Sequence, residues 1–456
     1  MHAADRLLDF LSPTVFAPLD ARLRGDRSRS FAGEAEALTA APAERIEAFQ
    51  LERIRAIAAH AARHTRFYAE RFAEAGIARP EAMTWEQFRG LPCLTREDLR
   101  QRHEDLASDA FAPRERIATA TGGTTSSPIP FLLDRESHWR RWGATLAFDA
   151  WLGYRPGLRI AYLWGARQDA PGKPSWKGRL RGALVSRNRF FPSGLLDEAI
   201  LDGYARELQA FRPVLLQAYP TPLAIFARHL LQRCIRLTIP ALSCTAEPLL
   251  PAQRETIRAA FGRAPVNWYG ARECGRIATE CQRLDGLHVN VYGLHVELLP
   301  LPDMPAEGVG EIVVTDLWNR ALPLIRYRIR DLGRLDAAPC ACGRGAPRLR
   351  DILGRTADTF VNSRGQRVPG VAFTNRLVTD GRRIEALQLL QHEPRRFEAL
   401  VVAGPDYDAA TPEWLRSRLA AFLEDDIELT LRPVEAIPRE ASGKLRVAKN
   451  LMDGAG

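Results

Sequence analysis

The chain has 456 residues, 46% hydrophobic and 26% charged, with a formal net charge of +9. That length exceeds one compact core and calls for two or three domains, and the composition is ordinary for a soluble globular protein. No stretch approaches the ~20 consecutive apolar residues of a membrane span, and the arginines that carry the positive charge are scattered rather than gathered in the stripe of a nucleic-acid binder.

From Met1 to Gly25 apolar residues alternate with Asp5, Arg6, Asp9, Asp20 and Arg22. A secretory signal needs a basic start and an unbroken apolar run, so the chain is read as cytoplasmic. Residues 44–75 carry apolar side chains at helical spacing through Ile46, Phe49, Ile54, Ile57 and Ala61. A further helix is expected after Thr95, where Thr-Arg-Glu-Asp reads as an N-cap with an acidic first turn. Ile117–Ala120 and Ile129–Leu133 read as strands around a loop dense in Gly and hydroxyls, Thr121–Pro128. From 151 to 320, strand-like runs (Arg159–Trp164, Val214–Ala218, Ile239–Cys244, Glu311–Asp316) alternate with helical stretches (Leu223–Leu231, Gln253–Phe261), the rhythm of a mixed α/β domain. Leu324–Ile329 reads as one more strand. After Gly354 the pattern resets. A strand at Thr359–Asn362, a helix near Val371–Val378, strands at Ala386–Leu390 and Glu398–Val402, a helix at Pro412–Leu423 and a strand at Glu428–Leu431 give the order βαββαβ of a ferredoxin-like module. The expected domains are 1–354 and 355–456.

Four segments carry chemistry. In Thr121–Pro128, adjacent glycines can turn backbone N–H groups toward one point, a nest suited to phosphate; no Gly-Lys-Ser/Thr follows, so it is not a Walker loop. In Trp268-Tyr269-Gly270-Ala271-Arg272-Glu273, an aromatic beside Gly can stack on a base, and a nearby carboxylate can hold magnesium. Asp331, ahead of Gly333, can accept two hydrogen bonds from a ribose diol, with Arg355 in reach of phosphate or ribose oxygens. Ser442-Gly443-Lys444 is a tight turn that presents one of only four lysines in the chain, a compact cation suited to a carboxylate approaching a phosphate. Taken singly, each also reads as an ordinary turn or a salt-bridged surface strand.

In this order, the four segments resemble the adenylate-forming superfamily of acyl-CoA synthetases, most closely the phenylacetate–coenzyme A ligase family with its capsule-biosynthesis relatives. Pro92-Cys93-Leu94-Thr95, Gln217-Ala218-Tyr219-Pro220-Thr221, Ala246-Glu247-Pro248, Gly310–Leu317 and Pro323–Tyr327 extend the likeness over nearly the whole chain. The resemblance implies a large mixed α/β N-terminal domain and a small ferredoxin-like α+β C-terminal lid. It implies Lys444, Glu273 and Thr124 as catalytic residues. Thr121, Gly122, Gly123, Thr125, Ser126, Glu247, Tyr269, Gly270, Arg272, Asp331 and Arg355 are then the nucleotide contacts. The implied activity is ATP- and magnesium-dependent conversion of a carboxylic acid to an acyl-adenylate, followed by transfer to coenzyme A. Transfer to an amine or hydroxyl is the alternative, and a nucleotide-binding pseudoenzyme is the other. Three positions depart from the family pattern: Ser126 stands where Gly is usual, Arg272 where a small hydroxyl residue is usual, and Ala357 precedes Asp358 at the hinge.

The chain holds seven cysteines, an odd number suited to thiols or metal ligands in a reducing compartment. Cys281, His288, Cys340 and Cys342 would suit tetrahedral zinc, with Cys274 as a competing ligand; some members of the resembled family carry a structural zinc at matching positions. Trp151, Tyr154, Trp164 and Tyr219 either line an aromatic acid pocket or belong to the core.

Overall fold

The computed structural model describes residues 3–120, 129–164, 175–301, 304, 308–336, 338–355, 359–370, 373, 383–437 and 447–452. The expected phosphate loop Thr121–Pro128, the hinge at Ala357 and Asp358, most of the helix expected near Val371–Val378, and the Ser442-Gly443-Lys444 turn lie outside these residues.

The segment expected as one helix over 44–75 is two, Ala43–His64 and Arg66–Glu74. Thr65 between them is extended, and its hydroxyl accepts from the Tyr68 N–H, capping the second helix. Thr95 starts the helix Arg96–Gln101 in a full capping box: Asp98 N–H donates to the Thr95 hydroxyl at 3.1 Å, and Thr95 N–H donates back to the Asp98 carboxylate at 2.8 Å.

The strands, in chain order, begin with the antiparallel pair β1 (Ile117–Ala120) and β2 (Pro130–Leu133). Next come β3 (Ile160–Trp164), β4 (Asn188–Pro192), β5 (Leu215–Ala218), β6 (Ala241–Cys244) and β7 (Val266–Ala271). Then follow β8 (Gly275–Glu280), β9 (Leu287–Val289), β10 (Leu294–Pro300), β11 (Val309–Asp316), β12 (Tyr327–Asp336) and β13 (Arg348–Arg355). β3 to β13 form one eleven-stranded sheet in the order β10-β11-β12-β13-β9-β8-β7-β6-β5-β3-β4. The half from β4 to β7 is parallel, because the helices Glu198–Phe211, Pro220–Gln232 and Pro251–Phe261 carry the chain back between β4, β5, β6 and β7. β5 and β6 are buried along their whole length, as strands covered on both faces must be. From β7 onward every pairing is antiparallel.

The strand read over Leu324–Ile329 begins only at Tyr327 and runs on to Asp336. Arg326 takes a left-handed φ of 52°. Its N–H bonds the Thr315 hydroxyl at 2.9 Å and its guanidinium pairs with Glu297, so the ladder cannot extend through it.

After β13 the chain forms a separate hairpin, β14 (Thr359–Val361) with β15 (Arg367–Pro369). A four-stranded sheet follows, from β16 (Ile384–Glu393), β17 (Arg396–Ala403), β18 (Glu428–Pro433) and β19 (Ala448–Asn450), in the order β18-β17-β16-β19. The helix Thr411–Leu423 covers one face through Leu415, Leu419 and Leu423. The strand at Thr359 thus stands outside the four-stranded sheet, and the chain's end supplies β19 parallel to β16. No described helix is long and apolar enough to cross a membrane.

The helices Ser28–Thr39 and Arg135–Ala150 cross in close contact at Gly143, where a Cβ would stand 2.6 Å from the Phe31 Cβ and 2.9 Å from the Ser28 carbonyl oxygen. Gly143→Ala should therefore lower unfolding stability by about 1–3 kcal/mol in urea denaturation. Gly33→Ala on the facing helix meets nothing within 4 Å and should instead stabilise by about 0.5–1 kcal/mol.

Candidate functional site

In an open parallel sheet, ligands bind at the carboxyl ends of the strands, where the following loops converge. Here those ends carry Trp164 after β3, Tyr219 after β5, Glu247 shortly after β6, and Tyr269 and Gly270 within the last turn of β7. Gly270 lies so close to the next strand that a Cβ would meet the Gly275 carbonyl oxygen at 2.6 Å. The register shifts between Tyr269 and Gly270, a bulge that re-aims the tyrosine.

The Tyr269 phenol donates to the Asp331 carboxylate at 2.6 Å. Asp331 lies opposite Arg355 in the β12–β13 ladder, and the Arg355 Nε is 4.0 Å from the other carboxylate oxygen. Burial and the adjacent Asp331 charge push the Tyr269 phenol well above its ordinary value, so it stays protonated and holds the carboxylate in place. Arg355 is largely exposed and free to reach outward.

Glu273 sits in the turn between β7 and β8. That turn is braced from the helix Arg135–Ala150: Arg141 Nη2 donates to the Glu273 carbonyl oxygen and to the buried Asp316 carboxylate, each at 2.7 Å. The Glu273 side chain itself makes no ion pair or hydrogen bond with the described residues. Its charge is felt by Tyr269, Tyr327 and Cys274, whose acidities it lowers. Arg272 points to solvent. Glu247 is buried and accepts from the Thr221 N–H at 3.2 Å. Ala246 before it adopts φ 70°, a left-handed conformation costly for a residue with a Cβ, which turns Glu247 inward. Tyr269, Gly270, Glu273, Asp331 and Arg355 thus come together; Glu247 stands one strand away, and Thr121–Ser126 and Lys444 lie outside the described residues.

Beside this cluster runs a row of aromatic rings. Trp164 packs on Tyr219 at 5.3 Å and on Trp268 at 6.4 Å between centroids. The Arg276 guanidinium lies 4.5 Å over Trp268 and donates to Asp149 at 2.8 Å in a buried ion pair. Of the four candidate pocket aromatics, Trp164 and Tyr219 are here. Tyr154 packs at the opposite ends of the strands, with Ile160, Leu215 and Ala241. Trp151 belongs to a different place, bonded to Glu36 and covered by Arg344.

That place is the thiol cluster. Donor atoms of Cys281, His288, Cys340 and Cys342 all lie within 4.8 Å of one another. Cys281 Sγ is 3.9 Å from Cys340 Sγ, and His288 Nε2 is 3.3 Å from Cys342 Sγ. Tetrahedral zinc, with bonds of about 2.3 Å to sulfur and 2.0 Å to nitrogen, needs edges of roughly 3.5–3.8 Å, so the donor set fits. The other ring nitrogen of His288 lies 3.3 Å from the Ala346 carbonyl oxygen, which orients Nε2 toward the sulfurs. Burial pushes His288 down to about 4 and Cys281 up to about 11. Cys274, the competing ligand, is buried beside Glu273 instead and takes no part in the cluster.

The Tyr269–Asp331 bond, the Arg141 brace and the Asp149–Arg276 pair had no local signal, since their partners are 62, 175 and 127 residues apart.

Known proteins resemble this chain in sequence and in fold. Residues 360–451 match the CapK C-terminal domain family. The chain is 27% identical over 417 residues to a phenylacetate-coenzyme A ligase of Thermus thermophilus, covering 83% of this chain and 91% of that one. It is 24% identical over 396 residues to the CapK protein of Staphylococcus aureus, covering 85% of each. Among solved structures, 2-hydroxyisobutyryl-CoA ligase in its postadenylation state superposes with a TM-score of 0.71 at 20% identity, over 91% of both chains.

The buried pair gives a direct test of the site's framework. Arg276→Met leaves Asp149 with only Gln217, at 3.4 Å, and should cost about 3–5 kcal/mol of stability in urea denaturation. Arg276→Met combined with Asp149→Leu should recover most of that loss, because no uncompensated charge remains.

Proposed function

We propose that this homologue of phenylacetate-coenzyme A ligase and CapK is an ATP-dependent ligase that converts a carboxylic acid to an acyl-adenylate and passes the acyl group to coenzyme A. The observation that carries the reading is the Tyr269–Asp331–Arg355 cluster at the carboxyl ends of the parallel strands. It occurs in a chain with the fold of adenylate-forming ligases.

In this reading the Asp331 carboxylate takes the ribose hydroxyls and Tyr269 packs beside the adenine. Arg355 supports the nucleotide, and Glu273, a carboxylate without a cation among the described residues, would hold magnesium. Thr121–Ser126 wrap the phosphates, with Thr124 at the reacting end. Trp164, Tyr219 and Trp268 form an aromatic wall for the acid. Residues 1–354 act as the adenylation unit and 355–456 as a lid that carries Lys444. A carboxylate and a triphosphate repel each other; the Lys444 ammonium offsets that repulsion while a carboxylate oxygen attacks the α-phosphorus and pyrophosphate leaves. The mixed anhydride is then attacked at its carbonyl carbon by a thiolate, and AMP leaves with the bonding pair. Zinc bound by Cys281, His288, Cys340 and Cys342 would be structural, since four protein ligands leave no open position.

The match of residues 360–451 to the CapK C-terminal domain favours one second reading: the same adenylate, with an amine or hydroxyl as acceptor. Acid-dependent exchange of pyrophosphate into ATP, over a panel of aryl, hydroxy and fatty acids, tests the first half-reaction. No exchange with any acid would favour a nucleotide-binding pseudoenzyme. Product analysis with coenzyme A against amines and alcohols then separates the acceptors.

Lys444→Ala should slow adenylate formation at least ~100-fold, about 3 kcal/mol of transition-state stabilisation. Thioester formation from preformed acyl-adenylate should change far less; equal losses in both steps would refute a role confined to the first. For the thiol cluster, elemental analysis should find about one zinc per chain, and Cys340→Ser should lose it and lower the Tm by at least ~5 °C.

A further inference from the structure

Residues 3–24 form a nearly continuous helix, Ala3–Leu11 and Ala17–Arg24 joined by a π-turn at Ser12–Phe16 and ended by Gly25 at φ 63°. Five of its outward side chains are large and apolar: Leu7, Phe10, Val15, Leu19 and Leu23 are between 45% and 80% exposed. A regular helix would rotate Leu23 about 160° away from Leu7. The π-turn absorbs about one extra residue and brings that rotation down to roughly 60°, so the five side chains share one stripe.

The stripe is built in, not frayed. Pro13 presses on Gly157, where a Cβ would stand 2.5 Å from its nitrogen, and the Ser12 hydroxyl donates to the Leu184 carbonyl at 2.6 Å. Asp9 is drawn inward between Arg159 and Arg187, at 2.9 and 2.8 Å, and Asp20 pairs with Arg181 and Arg24. The Asp20–Arg181 contact joins the stripe to the short helix Trp176–Arg181, which adds exposed Trp176 and Leu180. The exposed charges on and beside this surface are cationic: Arg6, Arg22 and Arg24 on the long helix, Lys177 and Arg179 on the short one.

We propose that this surface docks the protein on an anionic lipid membrane, lying in the interface without crossing it. Leu, Phe and Trp on a preformed helix flanked by Arg and Lys is what such an interface binds, through apolar burial plus attraction to acidic headgroups. A second copy of the chain is the poorer occupant: among the described residues, two such faces would oppose arginines to arginines with no exposed acid between them. The surface adjoins Gly157, Arg159 and Arg187, which precede β3 and β4. It therefore lies at the amino ends of the parallel strands and leaves the candidate site at their carboxyl ends open to solvent.

The test is sedimentation of the full chain with vesicles of phosphatidylcholine alone or with 30% phosphatidylglycerol, at low and high salt. Expected is binding to the anionic vesicles, at least ~10-fold stronger than to the neutral ones and weakened by salt. Phe10→Glu with Leu23→Glu, and separately Trp176→Ala with Leu180→Ala, should each reduce binding at least ~10-fold with circular dichroism and Tm unchanged. Absence of binding to anionic vesicles overturns the proposal. So does binding that both variants retain, which would reflect net charge alone. So does a concentration-dependent dimer that the variants disperse, which would make the face a self-interface.

Discussion

Strands in a sheet are about 4.8 Å apart, and β7 and β12 are separated by β8, β9 and β13. In a flat sheet they would stand roughly 19 Å from each other, about three times the reach of a tyrosine. Yet the Tyr269 phenol is 2.6 Å from the Asp331 carboxylate. The antiparallel half must therefore curl until β12 faces β7, and the Tyr269–Asp331–Arg355 cluster exists because of that curl. Gly270 lets it start, since the β7–β8 hairpin is too tight there for any Cβ. The β7–β8 pairing is also where the sheet passes from parallel to antiparallel, so the Tyr269–Asp331–Arg355 cluster and the aromatic row meet at one change of topology.

The charges around this cluster follow one pattern. Buried or half-buried acids on the sheet or on the helix packed against it are matched to arginines: Asp149 to Arg276, Glu280 to Arg254, Glu297 to Arg326, Glu311 to Arg328 and Asp316 to Arg141. A guanidinium suits this task because its planar fork can satisfy two oxygens at once, as Arg254 does with Glu280. Against that background Glu273 stands out as a partly buried carboxylate with no arginine among the described residues. That imbalance is what supports the magnesium role proposed for Glu273.

Local signals in the sequence were strong where structure is local. The Thr95 capping box, the apolar spacing of the helix Ala43–His64 and the fully buried runs of β5 and β6 each depend on neighbours within a few residues. What was not legible depends on distant partners. Arg326 reads as part of a strand until Thr315 and Glu297 claim it. Thr359–Val361 has strand composition, but nothing local says that it pairs with β15 rather than with β16. Trp151 and Tyr154 looked equivalent to Trp164 and Tyr219, because an aromatic carries no mark of which end of a sheet it will occupy. The cysteines are the opposite case. Their spacing along the chain is unremarkable, and the donor chemistry of three thiols and an imidazole, together with the family resemblance, suggested that they belong together.

That grouping also bears on the curl. β9 is three residues long, and its pairing with β13 spans only two, Leu287 with Leu349 and His288 with Arg348. Among the described strands of the large sheet only the β6–β7 pairing is as short, and this seam lies between β8 and β13, where the curvature must be held. Cys281 follows β8, His288 lies on β9, and Cys340 and Cys342 precede β13. The same seam is tied by Arg348, buried between Asp285 and Asp336, and by Gly345, whose missing side chain lets the loop reach Ala41. A metal drawing the four donors together would add a crosslink where the strand pairing is short. Its effect on Asp331 would pass through the angle of β13 and β12, not through contact. On this view a metal there would stiffen the curl that the Tyr269–Asp331 bond closes, giving the four donors a mechanical role and not a chemical one.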